Sequence, residues 1–167
     1  MPTYVMLAIT SLLTIGLTGY FTALHSVQVA RASMSRYAQI ALQQVGDSAV
    51  TLDSSQGTQW TKSTGPATGA TLLFQQDLQQ TLQGTPWATI PVTLQTFAVY
   101  TPQDVGEAAP WGYPGASISA PGYYVDLSFP WKVGWGLPPV TVTVAEVMQA
   151  NSVAQPGQGA PTWNPGV

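Results

Sequence analysis

His25 is the only histidine in this chain of 167 residues, and it lies in an apolar stretch with no carboxylate near it in sequence. An imidazole works as a general base only when a nucleophile and an orienting partner are within hydrogen-bond reach, so a helix-contact or interfacial role fits His25 better. Asp104 and Glu107 stand three apart in a Gly/Pro-rich segment, and with Asp126 or Glu146 they have the oxygen chemistry of a hard-cation site. Their spacing matches no calcium loop, and solvated loop charges are the simpler expectation. The chain has no cysteine, which excludes disulfides, thiolate metal sites and a cysteine nucleophile. It also has no phosphate-binding loop, nucleophile elbow, zinc-protease motif or dinucleotide fingerprint. The residues therefore predict a non-enzyme with no catalytic site, no cofactor and no metal.

Aromatic residues are the other candidates for contact chemistry. Trp111, Tyr113, Tyr123, Tyr124, Trp131, Trp135 and Trp163 crowd the second half of the chain. Indole and phenol rings stack on sugars, bury large areas between subunits, or simply pack a core. Trp111, Tyr113, Trp131 and Trp135 are the candidate surface contacts. Charge is scarce, with Lys+Arg 4 and Asp+Glu 7 giving a net charge of -3. No basic cluster exists to neutralise phosphates, so nucleic acid is excluded as a partner.

The element that must position any contact surface is the N-terminus. No Asp, Glu, Lys or Arg occurs before Arg31, and Val5 to Leu24 is long enough to cross a bilayer as a helix. Thr, Ser and Gly interrupt it, and a membrane helix tolerates these because the hydroxyls bond back to its own carbonyls and glycine allows close approach. A signal peptide would need a basic start and a shorter apolar run. Helical spacing continues through Val27, Val29 or Ala30, Met34, Tyr37 or Ala38, Ala41 and Val45, predicting one helix from about Thr3 to Val45 that stops at Gly46-Asp47. At about 1.5 Å per residue it is roughly twice the hydrocarbon thickness, so half of it lies outside lipid. Arg31 and Arg36 follow the span, which read literally puts the remainder in the cytoplasm. Removal of a basic leader from a precursor is the alternative, favoured because the Pro- and Thr-rich remainder reads as external.

Residues 47–70 read as a linker loop, 71–153 as a β-rich head and 154–167 as a Pro/Gly-rich tail. Phe74, Leu78 and Leu82 recur at helical spacing, with Thr71 as the expected cap and Gly84 as the stop. Three strands follow. Thr89 to Tyr100 changes phase, predicting a bulge near Gln95-Thr96; Tyr123 to Val133 alternates without fault; and Val140, Val142 and Val144 alternate with threonines. Pro130 favours an edge strand or the end of a ladder, and the last two strands read as a hairpin with a long loop. The expected fold class is α+β: a long N-terminal helix and a small head whose antiparallel sheet packs on helix.

An apolar helix extended by an amphipathic stretch and followed by a β head resembles the type IV pilin-like architecture. The stretch from Tyr123 to Ala150 also resembles the ending of TadE-like pseudopilins. The matching residues are Phe129-Pro130-Trp131-Lys132 in one strand and Pro139-Val140-Thr141-Val142-Thr143-Val144 in the last. Those families carry a glutamate at the fifth position of the mature helix; Val5 stands there, and no acidic residue precedes Asp47. The resemblance implies a structural subunit of an extracellular pilus-like filament, held in the inner or cytoplasmic membrane before assembly and then joined to copies of itself. The assembly residues would be Tyr4, Val5, Leu7, Ile9, Leu12, Leu13, Ile15, Leu17, Tyr20, Phe21 and Leu24. The rival expectation is a single-span anchored surface protein whose aromatic head binds a glycan or protein without polymerising. Thr and Ser residues of the linker are candidates for O-linked sugars.

Overall fold

The computed structural model describes residues 2–53, 57–60, 69–111, 115–134, 136–150 and 163–165. Helix α1 runs from Pro2 to Ala49, 48 residues, or about 72 Å at helical rise. Its two halves differ. Ala30, Met34, Ala38, Ala41 and Val45 recur every three or four positions and, with Leu42, are fully buried, whereas every residue from Tyr4 to Gln28 is exposed or half-buried at most. The expected stop at Gly46-Asp47 is corrected. Gly46 is buried inside the helix, where packing of this face outweighs the roughly 1 kcal/mol propensity cost of an interior glycine.

The linker reading is also revised. Strands β1 (Val50–Asp53) and β2 (Gly57–Trp60) form a short antiparallel hairpin directly after α1, while 54–56 and 61–68 lie outside the described residues. Helix α2 (Ala70–Leu82) buries Phe74, Leu78 and Leu82 as their spacing predicts. Its cap differs from expectation, because the helix starts earlier: Gly69, at φ 58°, is the N-cap, and Thr71 is buried within the first turn. Gly84, at φ 76°, takes the left-handed conformation that closes the other end.

Strands β3 (Thr93–Tyr100), β4 (Gly122–Trp131), β5 (Val140–Ala150) and β6 (Trp163–Pro165) make an antiparallel sheet in sequential order. β3 begins later than Thr89 because residues 85–90 form turns and Pro91 has no donor for a ladder. The predicted bulge is present, the register shifting between Leu94 and Thr96. The spare Gln95 reaches across to donate to the Ser128 hydroxyl at 2.7 Å. β4 is a central strand, and Pro130 lies where pairing with β3 has already ended, at Thr93 with Ser128. β6 pairs with the last residues of β5, a strand within the segment read as a tail; the rest of that tail, 151–162 and 166–167, lies outside the described residues. At the other end of β4, Gly122 sits so close to β5 that a Cβ there would overlap the Met148 carbonyl.

One face of the sheet carries Val99, Tyr123, Val125, Leu127, Phe129, Val142 and Val144, all buried against α1 and α2. The opposite face carries Tyr124 and Val147, which the excursion between β3 and β4 covers with Ile118 and Trp111. The two sides of that excursion are joined by backbone hydrogen bonds: the Ile118 N–H donates to the Glu107 carbonyl, the Gly106 N–H to the Ile118 carbonyl and the Ala109 N–H to the Ala116 carbonyl. Two hydrogen bonds set the direction of α1 across the sheet: Trp131 Nε1 donates to Ser26 Oγ at 2.8 Å, and Gln39 Nε2 donates to Glu146 Oε2 at 2.9 Å. Ser26 to Gln39 is about 20 Å along a helix. Val140, opposite Trp131, to Glu146 is about 20 Å along a strand. The helix therefore lies along β5 and points the same way, and the N-terminal half leaves the head at the end where β4 stops and β5 begins.

Candidate functional site

Among the described residues the exposed large apolar side chains concentrate in the N-terminal half of α1. Tyr4 is 83 % exposed, Leu12 71 % and Phe21 64 %; Val5, Leu7, Ile9, Leu13, Ile15, Leu17, Tyr20 and Leu24 are likewise exposed. In α1 the chain has one helix, among the described residues, long and apolar enough to cross a membrane. An ordinary soluble surface does not carry an apolar patch of this extent, which marks a site for lipid or protein contact.

The hydroxyls of Thr10, Ser11, Thr14, Thr18 and Thr22 in this half bond to the helix's own carbonyls. Thr14, Thr18 and Thr22 each donate a hydroxyl to the carbonyl four residues earlier at 2.8 Å, and Ser11 does the same to Leu7. Thr10 bonds the Met6 carbonyl at 2.6 Å. Thr10, Thr14, Thr18 and Thr22 thus form one row along the helix, methyl groups outward and hydroxyls satisfied, so burial of the row leaves no unmet donor. Elsewhere on this half, Ile9, Leu12, Leu13 and Leu17 border a dent at Gly16. A Cβ at Gly16 would meet nothing within 4 Å, so packing inside the subunit does not require glycine there.

Where α1 enters the head, four rings lock it. Trp87 stacks on Trp131 with centroids 5.0 Å apart and planes 18° apart, and meets Phe129 and Tyr37 edge-on at 5.5 and 6.3 Å. Of the candidate surface aromatics, Trp131 is half-buried in this cluster. Trp111 is half-buried on the opposite face, stacked on Tyr124 at 5.4 Å and edge-on to Tyr100 at 5.1 Å. The structure does not bring Trp111 and Trp131 together. Tyr113 and Trp135 lie outside the described residues. Trp87, Ser26 and Gln39, which fix the helix to the head, carry no motif; the indole in a Pro-flanked turn (Thr85-Pro86-Trp87) was the available signal.

The acidic residues are dispersed. Asp104 Oδ2 accepts from the Thr101 N–H and hydroxyl at 2.6 and 2.8 Å, capping a single 3-10 turn, Pro102–Asp104. Asp126 and Glu146 lie on opposite faces of the sheet, since Glu146 pairs with the inward Val125 and Asp126 with Ala145. They cannot share a cation, and no three His, Asp or Glu side chains converge among the described residues. His25 is exposed on α1. Burial raises the pKa of Tyr123 above the usual phenol range; Tyr100 moves the same way through burial, then Tyr124 and Asp104, and Tyr124 through burial and then Asp126. A groove of about 390 Å³ between α2 and β3 is lined by Phe74, Leu78, Leu82, Ile90 and Leu94 and rimmed by Gln75, Gln79 and Gln83. It holds no titratable group.

No family model, curated protein or solved structure matches this chain.

Proposed function

We propose that this chain is the structural subunit of a pilus-like filament at the cell surface, stored in the membrane through α1 and assembled by packing α1 against copies of itself. The observation that carries this reading is the division of one unbroken helix. Its second half is sunk in the head, while the first half is apolar, uncharged and exposed. Burial of that half against other helices gains about 25 cal/mol per Å² of apolar surface, and the absence of charge before Arg31 spares the assembled core an unpaired ion. The self-bonded threonine row and the uncrowded Gly16 suit close helix approach. Heads would then face outward, with no catalytic role.

Electron microscopy of sheared cell-surface material, with an antibody to the head, tests the reading. Labelled filaments are expected. Recovery of the chain solely as detergent-solubilised monomers would instead support a single-span anchored protein whose head binds a glycan or protein.

A further inference from the structure

Among the described residues two of the three cations, Arg31 and Lys132, stand near one end of the head, and Arg36 lies about a turn and a half farther along α1. Trp131 bonds to Ser26, so Lys132 and the loop from β4 to β5 stand at the level where α1 leaves the head. Arg31 is on the adjoining turns of the helix and, like Lys132, is exposed. The opposite end holds Asp47 near the end of α1 and Asp104 and Glu107 beyond β3. Among the described residues no acidic side chain accompanies Arg31 and Lys132 at the near end. The same end is apolar at its tip. Leu137 is 55 % exposed in a turn closed by its N–H on the Gly134 carbonyl, and Val140 is exposed beside it. β4 runs toward the N-terminal half of α1, so Lys132, directly after it, lies at the end from which the apolar helix emerges.

We infer that, before assembly, the head rests on an anionic lipid surface through a collar made of Arg31, Lys132 and the Leu137 loop. The inference depends on α1 crossing a bilayer. Two arguments select lipid as the occupant. The collar is continuous with the end of the apolar helix, and its charge is opposite to that of an anionic leaflet, which attracts basic side chains within a Debye length. An apolar side chain flanked by cations at headgroup depth is the pattern that holds an interfacial segment in place. The collar orients the head while the subunit waits in the membrane, keeping the acidic end away from the surface.

The chain has no cysteine, so single reporters are introduced cleanly. Full-length Leu137→Cys, Gln103→Cys and Leu13→Cys proteins are labelled with an environment-sensitive nitrobenzoxadiazole. They are then reconstituted in phosphatidylcholine vesicles with and without phosphatidylglycerol. Headgroup spin-labelled lipid should quench the Leu137 reporter at least about twofold more strongly when phosphatidylglycerol is present. The Gln103 reporter, at the acidic end, should stay unquenched. Arg31→Gln with Lys132→Gln should abolish the phosphatidylglycerol dependence. Acyl-chain spin labels at Leu13 report the span separately. Quenching there, with Leu137 and Gln103 alike, overturns the collar and leaves the span standing; no quenching at Leu13 overturns both. A Leu137 signal that ignores phosphatidylglycerol and rises with protein density would assign the tip to a neighbouring head and overturn the proposal.

Discussion

Trp87 is 8 % exposed between Trp131, Phe129 and Tyr37, so its truncation to alanine removes three ring contacts and leaves a void where helix meets sheet. The expected cost is about 3–5 kcal/mol, read as a lowered denaturation midpoint of the full chain in detergent. An unchanged midpoint would mean that the cluster is ornamental to the fold. Tyr123 sets an alkaline limit. Its pKa is raised above the ordinary 10.0 by burial, so the folded state retains the phenol proton longer than the unfolded chain. Stability from this source is complete below about pH 10 and declines as pH rises toward the folded value. Tyr123→Phe should flatten the alkaline part of a stability-against-pH curve, leaving the smaller contributions of Tyr100 and Tyr124. At this scale the alternating side chains of β4 were legible, because a period of two assigns Tyr123, Val125, Leu127 and Phe129 to one face. The role of Trp87 was not, since nothing local says which rings a turn residue will meet. The ring partners of the half-buried Trp111 and Trp131 were illegible for the same reason: Tyr124, Tyr100 and Trp87 come from other elements.

At the scale of elements, α1 is divided into an exposed apolar half and a half buried in the head. Leu13→Asp places a charge on the exposed half, far from the head's core, so thermal unfolding of the head should stay within about 0.5 kcal/mol of the parent. Filaments should disappear, because a carboxylate buried among helices lacks a partner. If the variant still formed filaments in normal number, α1 would not be their core. The existence of both helices, the bulge in β3 and the hairpin of β4 and β5 were readable from periodicity and from Gly/Pro punctuation. Boundaries failed where tertiary contact overrode a local signal. Gly46 resembles a stop but is held in helix by burial, Thr71 resembles a cap but lies in the first turn, and Val50–Asp53 with Gly57–Trp60 pair inside a stretch whose Ser/Thr/Gly content suggested only a linker.

At the scale of the whole molecule, the core begins at Ala30 and the first ties to the head are Ser26 and the half-buried Val27. A chain starting at Ser26 should therefore fold as a detergent-free monomer with unchanged near-ultraviolet dichroism, checked by size-exclusion chromatography with light scattering. Aggregation or loss of that signal would show that the exposed half contributes to folding. The α+β class was visible in the sequence, whereas the course of α1 along β5 was not, because it depends on two side-chain bonds more than a hundred residues apart in the chain. That parallel course has a mechanical consequence. Tension applied along the helix axis runs along the strands, so the ladder joining β4 and β5, from Gly122 with Gln149 to Trp131 with Val140, is loaded in shear across all its rungs at once instead of being unzipped one by one.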